Sequence, residues 1–226
     1  MKLHGVAFSP FVQRVLIAAR IKGHELPVQP IGGPAMQSPE FAAISPMRRI
    51  PVLEEADGWT LGESAPIIAY LDETLDGPSL LPADPRSRAK ARLLAGLVDT
   101  EFAAGLRHFV VQKLFRMYDE PKLCTYGMEQ LGKGLDAIEQ IGIGADRWAV
   151  GDRPTIADAA LIPFLTLSDL ITEFTDAGPL HAGRPGVDGY WARAKADPIG
   201  AQSFGEMREG FLAASRRRVE AQSQPA

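Results

Sequence analysis

The chain of 226 residues contains a single cysteine, Cys124. One cysteine leaves no intramolecular disulfide framework and no CxxC or Cys2His2 metal site, and it suits a reducing compartment. Histidine is also sparse, and His4, His24 and His181 show no metal-ligand spacing, so no metal is expected. No run of about 18 uninterrupted apolar residues occurs, which argues against a membrane span. A basic excess is missing too. The 24 Lys and Arg stand against 28 Asp and Glu, a net charge of −4, too mild for nucleic-acid binding on electrostatic grounds. Only Arg216-Arg217-Arg218 is locally basic, and that suits a solvated helix end. Met1-Lys2-Leu3-His4 runs into the first strand without a secretory pattern, and no repeat or low-complexity segment is visible. These absences predict a cytoplasmic protein with neither nucleic-acid nor membrane partners. What is present, 46% hydrophobic and 23% charged residues, is the composition of a globular chain with a sizeable core.

Residues 1 to 76 alternate short strand-like and helical patterns. Leu3 to Ala7 reads as a strand, and a helix follows from Pro10 to Lys22, with Gly23 as its stop. Glu25 to Gln29, closed by Pro30, is a short strand suited to a sheet edge. Ser38-Pro39-Glu40 opens a brief helix to about Ile44. Arg49 to Glu55 is a strand begun by proline. The Asp57-Gly58 turn and Trp59-Thr60-Leu61 complete a hairpin with it, and a helix resumes from Ser64 with Ile67, Ile68 and Leu71 on its apolar face. The order β-α-β-α-β-β-α suggests a mixed sheet covered by helices.

Gly77-Pro78, Pro82 and Asp84-Pro85 lack periodicity and read as a linker over 77–85. From Arg86 onward the pattern is helical to the C-terminus, giving an expected second domain over 86–226. One long segment runs to about Tyr118, with Leu93, Leu97, Phe102, Leu106 and Phe109 at helical intervals, and another runs from Pro121 to Ile141. Thr155-Ile156-Ala157-Asp158 is a capping box with Asp in place of Glu. The helix that it starts is apolar nearly all round, hence buried, and Pro163 within it predicts a kink. Short helices over Asp188–Ala196, Gly200–Met207 and Phe211–Arg217 close the domain.

Three features of the first half could carry chemistry. Ser9 lies between a strand and a helix N-terminus, where it can cap the helix or present its hydroxyl to an anion held by the positive end of the helix dipole. Pro51 after Ile50 opens a strand. If cis rather than trans, it would turn the Ile50 backbone outward as a free donor and acceptor pair. Glu63-Ser64 stands at a helix N-terminus, where Ser64 can cap while helix N–H groups cradle a carboxylate.

In this order, the features resemble those of the cytosolic glutathione transferases, and the match covers essentially the whole chain. The resemblance implies an α/β plus all-α protein: a thioredoxin-like N-terminal domain (1–76), a linker and an all-helical C-terminal domain. Ser9 occupies the place from which a serine, tyrosine or cysteine meets the glutathione sulfur. Arg49-Ile50-Pro51-Val52-Leu53 matches the cis-proline motif, with Ile50 pairing its backbone to the cysteinyl part of glutathione. Glu63-Ser64 resembles the pair that binds the γ-glutamyl end, and Gly151, Thr155 and Asp158 match a structural capping motif. The absence of tyrosine before Tyr70 and of a cysteine at the N-terminal site leaves a serine-type enzyme. Ser9-Pro10-Phe11-Val12 before Arg14-Val15 is most similar to tau-like and related bacterial members, and the Ser-Ser-Cys of zeta-type isomerases is missing. Ser45-Pro46 departs from the Asn-Pro of many members.

The resemblance implies conjugation of the glutathione thiolate to small hydrophobic electrophiles, a detoxification chemistry, by a homodimer without metal. The alternatives are a glutathione-transferase-like binding protein without catalysis and a glutathione-dependent isomerase or dehalogenase. A free thiol titrates near ~8.5, so lowering it by about two units requires ~2.7 kcal/mol. A hydrogen bond from the Ser9 hydroxyl to the thiolate contributes ~1.5–3 kcal/mol and the helix N-terminus ~0.3–1 kcal/mol, which together suffice. Phe11, Arg107, His108, Phe115 and Tyr118 are candidates for contact with the second substrate.

Overall fold

The computed structural model describes residues 1–114, 119–143, 145–175 and 178–223, with the side chains of 113–114 and 217–223 left aside. The candidate residues Phe115 and Tyr118 lie outside the described residues. Two compact units emerge, Met1–Pro78 with Ala201–Ala226, and Ser79–Gly200. The expected helical domain of 86–226 therefore loses its last stretch to the first unit.

In the first unit, strand β1 (Lys2–Gly5) leads to helix α1 (Pro10–Ile21), strand β2 (Val28–Pro30), a 3-10 turn (Gly33–Gln37) and helix α2 (Pro39–Ile44). Strands β3 (Val52–Glu54) and β4 (Thr60–Gly62) form the hairpin, and helix α3 (Ser64–Thr74) follows. The sheet order is β2-β1-β3-β4, with β2 parallel to β1 and the other neighbours antiparallel. Pro30 is accommodated because β2 is an edge strand. Helices α1 and α3 pack on each other. Every residue of α1 from Val12 to Ala19 is buried, so Val12, Val15, Leu16 and Ile17 contribute ~1.5–3 kcal/mol each. Gln13 and Arg14 are buried with them.

In the second unit, α4 (Pro85–Leu97), capped by Asp84, runs through a π-turn (Val98–Phe102) into α5 (Ala103–Phe109) and a second π-turn (Val110–Leu114). Helix α6 (Pro121–Ile141) packs on α5 at a contact between Gly105 and Gly127. A Cβ on either glycine would stand 2.5 Å from the other's carbonyl oxygen, so only glycine permits this approach. Helix α7 (Ile156–Phe174) continues through Pro163 and is buried over most of its length. The capping box at its start is formed. The Asp158 carboxylate accepts from the Thr155 N–H (2.8 Å), the Thr155 hydroxyl (3.1 Å), the Ala149 N–H (2.9 Å) and the Tyr190 hydroxyl (3.0 Å). Burial pushes the Asp158 carboxyl up to about 6 against the pull of these donors.

Helix α8 (Pro185–Ala196) is followed by α9 (Pro198–Ser223), one helix where the sequence suggests two. The helix passes through Gly210, which faces Phe8. A Cβ there would meet Phe8 Cβ at 3.0 Å and Phe8 N at 3.3 Å. The glycine thus serves a close approach rather than a turn. No described helix is long and apolar enough to cross a membrane.

Candidate active site in the first unit

Strand register brings three loop segments to one end of the sheet. His4 of β1 stands opposite Val52 of β3, and Val52 stands opposite Gly62 of β4. From this row the chain leaves β1 toward Ser9, enters β3 from Ile50-Pro51, and leaves β4 into Glu63-Ser64. Strands β1 and β4 are two strand spacings apart, about 10 Å.

Ser9 occupies the N-cap position of α1 in extended conformation (φ −75°, ψ 124°), and its side chain makes no capping hydrogen bond. Of the two roles open from the sequence, the position is that of a cap, but the hydroxyl is not spent as one. A turn that closes with the Ser9 N–H donating to the Val6 carbonyl (3.0 Å) precedes it, and the first helical bond runs from the Gln13 N–H to the Ser9 carbonyl (3.0 Å). Phe11 is half-buried in the first turn of α1.

The Ile50-Pro51 peptide is cis. Pro51 is buried, Ile50 half-buried and Arg49 exposed, and the Ile50 backbone makes no hydrogen bond to another described residue. The approach to it is fixed by Ser45. That buried hydroxyl accepts from the Arg49 N–H (3.0 Å) and donates to the Arg49 carbonyl (2.9 Å), while Arg48 takes a positive φ of 51°. The departure from Asn-Pro thus leaves the loop anchored, by a hydroxyl that can both donate and accept.

Helix α3 begins differently from the expectation. Glu63 is the N-cap, at φ 65° and ψ 125°, and Ser64 is the first helical residue rather than the cap. A non-glycine residue at positive φ is costly and persists where its surroundings demand it. Its carboxylate is exposed and makes no capping bond, whereas Ser64 is buried. Pro66 in the first turn has no N–H, so the Ser64 and Ala65 amides are the orphan donors at this N-terminus.

Ser9, Ile50, Pro51, Glu63 and Ser64 are therefore gathered at one sheet end, with Arg49 just before it. Arg107, exposed, and His108, half-buried, belong to α5 in the second unit. Three further residues escaped the sequence reading: Ser45, noted only as a departure, and Gln13 and Glu206. Gln13 Nε2 donates to the Ala7 carbonyl (2.8 Å) and to Glu206 Oε2 (2.9 Å). The available signal was a glutamine on the buried side of α1, between Val12 and Val15. Nothing local identified Glu206 as its partner, 193 residues away.

A thioredoxin-like four-stranded sheet with these three segments at its edge, followed by a helical unit, defines the class. The chain matches the glutathione S-transferase N-terminal domain over residues 3–79 and the C-terminal domain over residues 86–193. The protein belongs to the glutathione S-transferase family and is an enzyme of it. It is 36% identical over 185 residues to a maleylacetoacetate isomerase from Pseudomonas aeruginosa, covering 79% of this chain and 86% of the relative. It is 31% identical to a glutathione S-transferase from Pseudomonas putida, covering 70% of each. Among solved structures it is similar to a maleylacetoacetate isomerase from Methylobacterium extorquens AM1 with bound malonate and glutathione, at TM-score 0.74 and 27% identity, covering 90% of this chain and 96% of the other. The expectation of a tau-like subgroup gives way here, because these relatives are largely isomerases. Pro10-Phe11 in place of the second Ser and the Cys of the zeta motif turned the sequence reading away from them.

Proposed function

We propose that the protein is a glutathione-dependent cis–trans isomerase acting on small unsaturated diacids of the maleylacetoacetate type. The observation that carries the glutathione site is the uncommitted Ser9 hydroxyl at the N-terminus of α1, in one sheet-end row with Ile50-Pro51 and the α3 N-terminus. An extended tripeptide spans about 10 Å, the separation of β1 from β4. Its sulfur would lie at Ser9, its central backbone along Ile50 and its γ-glutamyl carboxylate on the Ser64 and Ala65 amides.

The chemistry requires only a thiolate. Sulfur attacks one carbon of the conjugated cis double bond, and the electron pair moves onto the adjacent carbonyl oxygen as an enolate. The former double bond, now single, rotates; the enolate then re-forms the double bond in the trans geometry and expels the sulfur. Ser9 donates a hydrogen bond to the thiolate before attack and after expulsion, and glutathione returns unchanged. Similarity to the Pseudomonas aeruginosa isomerase over most of both chains supports this substrate class. A second reading, conjugation to an aryl or alkyl electrophile, draws support from the Pseudomonas putida transferase and from Pro10-Phe11 at the motif. The assembly we propose is a cytoplasmic homodimer, which light scattering tests.

The deciding experiment supplies glutathione at a small fraction of the concentration of maleylacetoacetate or maleylacetone. Many turnovers per glutathione, with loss of the cis-enone absorbance, support isomerisation. Consumption of glutathione in step with a chlorodinitrobenzene-type electrophile and no isomerisation would transfer the assignment to conjugation. Failure to be retained on immobilised glutathione would overturn both.

A further inference from the structure

We propose that Gln13 and Glu206 are positioning residues for the Ser9 hydroxyl, through a hydrogen-bonded chain from the C-terminal helix to the turn that carries Ser9. The inference rests on the reading of Ser9 as the group facing the glutathione sulfur.

Gln13 is fully buried in α1, and both protons of its amide nitrogen are engaged. One goes to the Ala7 carbonyl, two residues before Ser9, and the other to Glu206 of α9. Glu206 is itself held. Its other oxygen accepts from Arg20 Nη2 at 2.6 Å and from Gln202 Nε2 at 3.0 Å. Burial raises the Glu206 carboxyl, but the bonds from Gln13 and Arg20 outweigh it and keep the group below the usual carboxylate range. The carboxylate is thus a fixed negative anchor at neutral pH.

The same turn is gripped from a second side. Gly210 of α9 lies against Phe8, whose Cβ, ring and backbone nitrogen are all close to where a Cβ on Gly210 would stand, and the Phe211 ring meets the Phe8 ring edge-on at 5.7 Å and 71°. Ala7 and Phe8, the two residues before Ser9, are therefore both fixed by one helix, the first through Gln13 and the second directly.

Packing alone does not call for a glutamine here. Its Oε1 is buried without a partner, a desolvation cost that an apolar side chain of the same size would avoid. What the amide supplies is direction: two donors aimed at the turn and at its anchor. Misplacing a catalytic group by a fraction of an ångström is enough to weaken a hydrogen bond formed only at a set distance and angle.

The test compares full-length Gln13→Met, Glu206→Leu and Glu206→Gln with the wild type. The readouts are the apparent pKa of the bound glutathione thiol, from the ultraviolet absorbance of the thiolate over a pH series, and the glutathione Kd by calorimetry. Gln13→Met, similar in volume but without the donors, raises the bound-thiol pKa by about one unit, a tenfold change in the ionisation constant, while Kd moves less than about threefold. Glu206→Leu raises it in the same direction. Glu206→Gln retains an oxygen that accepts from Gln13 and restores the wild-type value, which a generic loss of stability would not do. Should Gln13→Met not fold, the Glu206 pair reads the same chain from its outer, 30% exposed end. Variants that lose stability yet keep the wild-type thiol pKa overturn the positioning role. A wild-type protein without any bound-thiolate absorbance overturns the glutathione reading beneath it.

Discussion

Ser9→Ala separates a cap from a catalytic donor, because the structure assigns Ser9 the position of a cap without the bond. An N-cap serine whose oxygen accepts from the first turn costs about 1 kcal/mol when replaced by alanine. Ser38 is such a residue, accepting from the Phe41 N–H at 3.1 Å, so Ser38→Ala should lose about that amount. Ser9 makes no such bond, and Ser9→Ala should stay within about 0.5 kcal/mol of the wild type. Its effect should fall on the bound thiol instead. Removing one hydrogen bond to a charged acceptor forfeits ~1.5–3 kcal/mol, which raises the thiol pKa by about one to two units. From a starting value near ~6.5, the thiolate fraction at pH 7 then falls about three- to 25-fold, and turnover falls with it. Urea unfolding of the two variants alongside thiolate absorbance with saturating glutathione measures both halves. An unchanged thiol pKa in Ser9→Ala, or a stability loss equal to that of Ser38→Ala, would refute the assignment.

Glu63→Ala and Ser64→Ala should weaken glutathione binding about tenfold or more, by removing groups at the α3 N-terminus worth on the order of 1.5–3 kcal/mol to a carboxylate or ammonium, while leaving the bound-thiol pKa near wild type; calorimetry checks it. At the same site Glu63→Gly should be more stable than Glu63→Ala by about 1 kcal/mol in urea unfolding, since φ 65° strains any side chain with a Cβ. Asp158 gives a pH signature: its carboxyl goes from 3.8 unfolded to about 6 folded. The native state thus keeps a proton that the unfolded chain has released, and that stability is full below pH 3.8 and lost as pH rises through 6. It amounts to about 3 kcal/mol, and Asp158→Asn, unable to titrate, should be less stable but lack this slope. Gly105→Ala should destabilise by about 2 kcal/mol or more, since its Cβ would stand 2.5 Å from the Gly127 carbonyl oxygen; the thermal unfolding midpoint reports it.

The element order, the hairpin and the capping box were legible because each rests on local chemistry. Proline after serine at Ser9-Pro10 and Ser38-Pro39, Asp57-Gly58 between strands, and Thr155 three residues before Asp158 fix backbone geometry within a few residues. The positions of the candidate site residues were legible to the same extent: Ser9, Ile50-Pro51 and Glu63-Ser64 each sit where a strand meets a loop or helix. What failed was non-local. Helix α9 read as two short helices, although Gly210 within it lies against Phe8, about 200 residues earlier. Gln13 escaped notice because its partner, Glu206, is in the last helix. Glu63, not Ser64, became the cap because the chain leaves β4 with a positive φ, which side-chain preferences do not announce. The subgroup was misjudged for a related reason: Pro10-Phe11 was weighed as a motif, although neither residue supplies a donor to the sulfur.

The hydrogen bond to sulfur bears differently on the two candidate reactions. Conjugation asks the thiolate to attack once and remain; isomerisation asks it to attack and then leave. A lower thiol pKa raises the thiolate fraction and improves the leaving group, but it lowers the intrinsic nucleophilicity of each thiolate, with a sensitivity near 0.4–0.5. Above the thiol pKa the population gain is exhausted. There, a strong hydrogen bond from Ser9 slows attack modestly while speeding expulsion. Where expulsion limits turnover, isomerisation gains from this bond even at alkaline pH, whereas conjugation under the same conditions does not. Measured above the variant's thiol pKa, Ser9→Ala should therefore slow isomerisation but leave conjugation of an aryl halide equal to or faster than wild type. No loss in either reaction at that pH would show that Ser9 acts through the thiolate population alone.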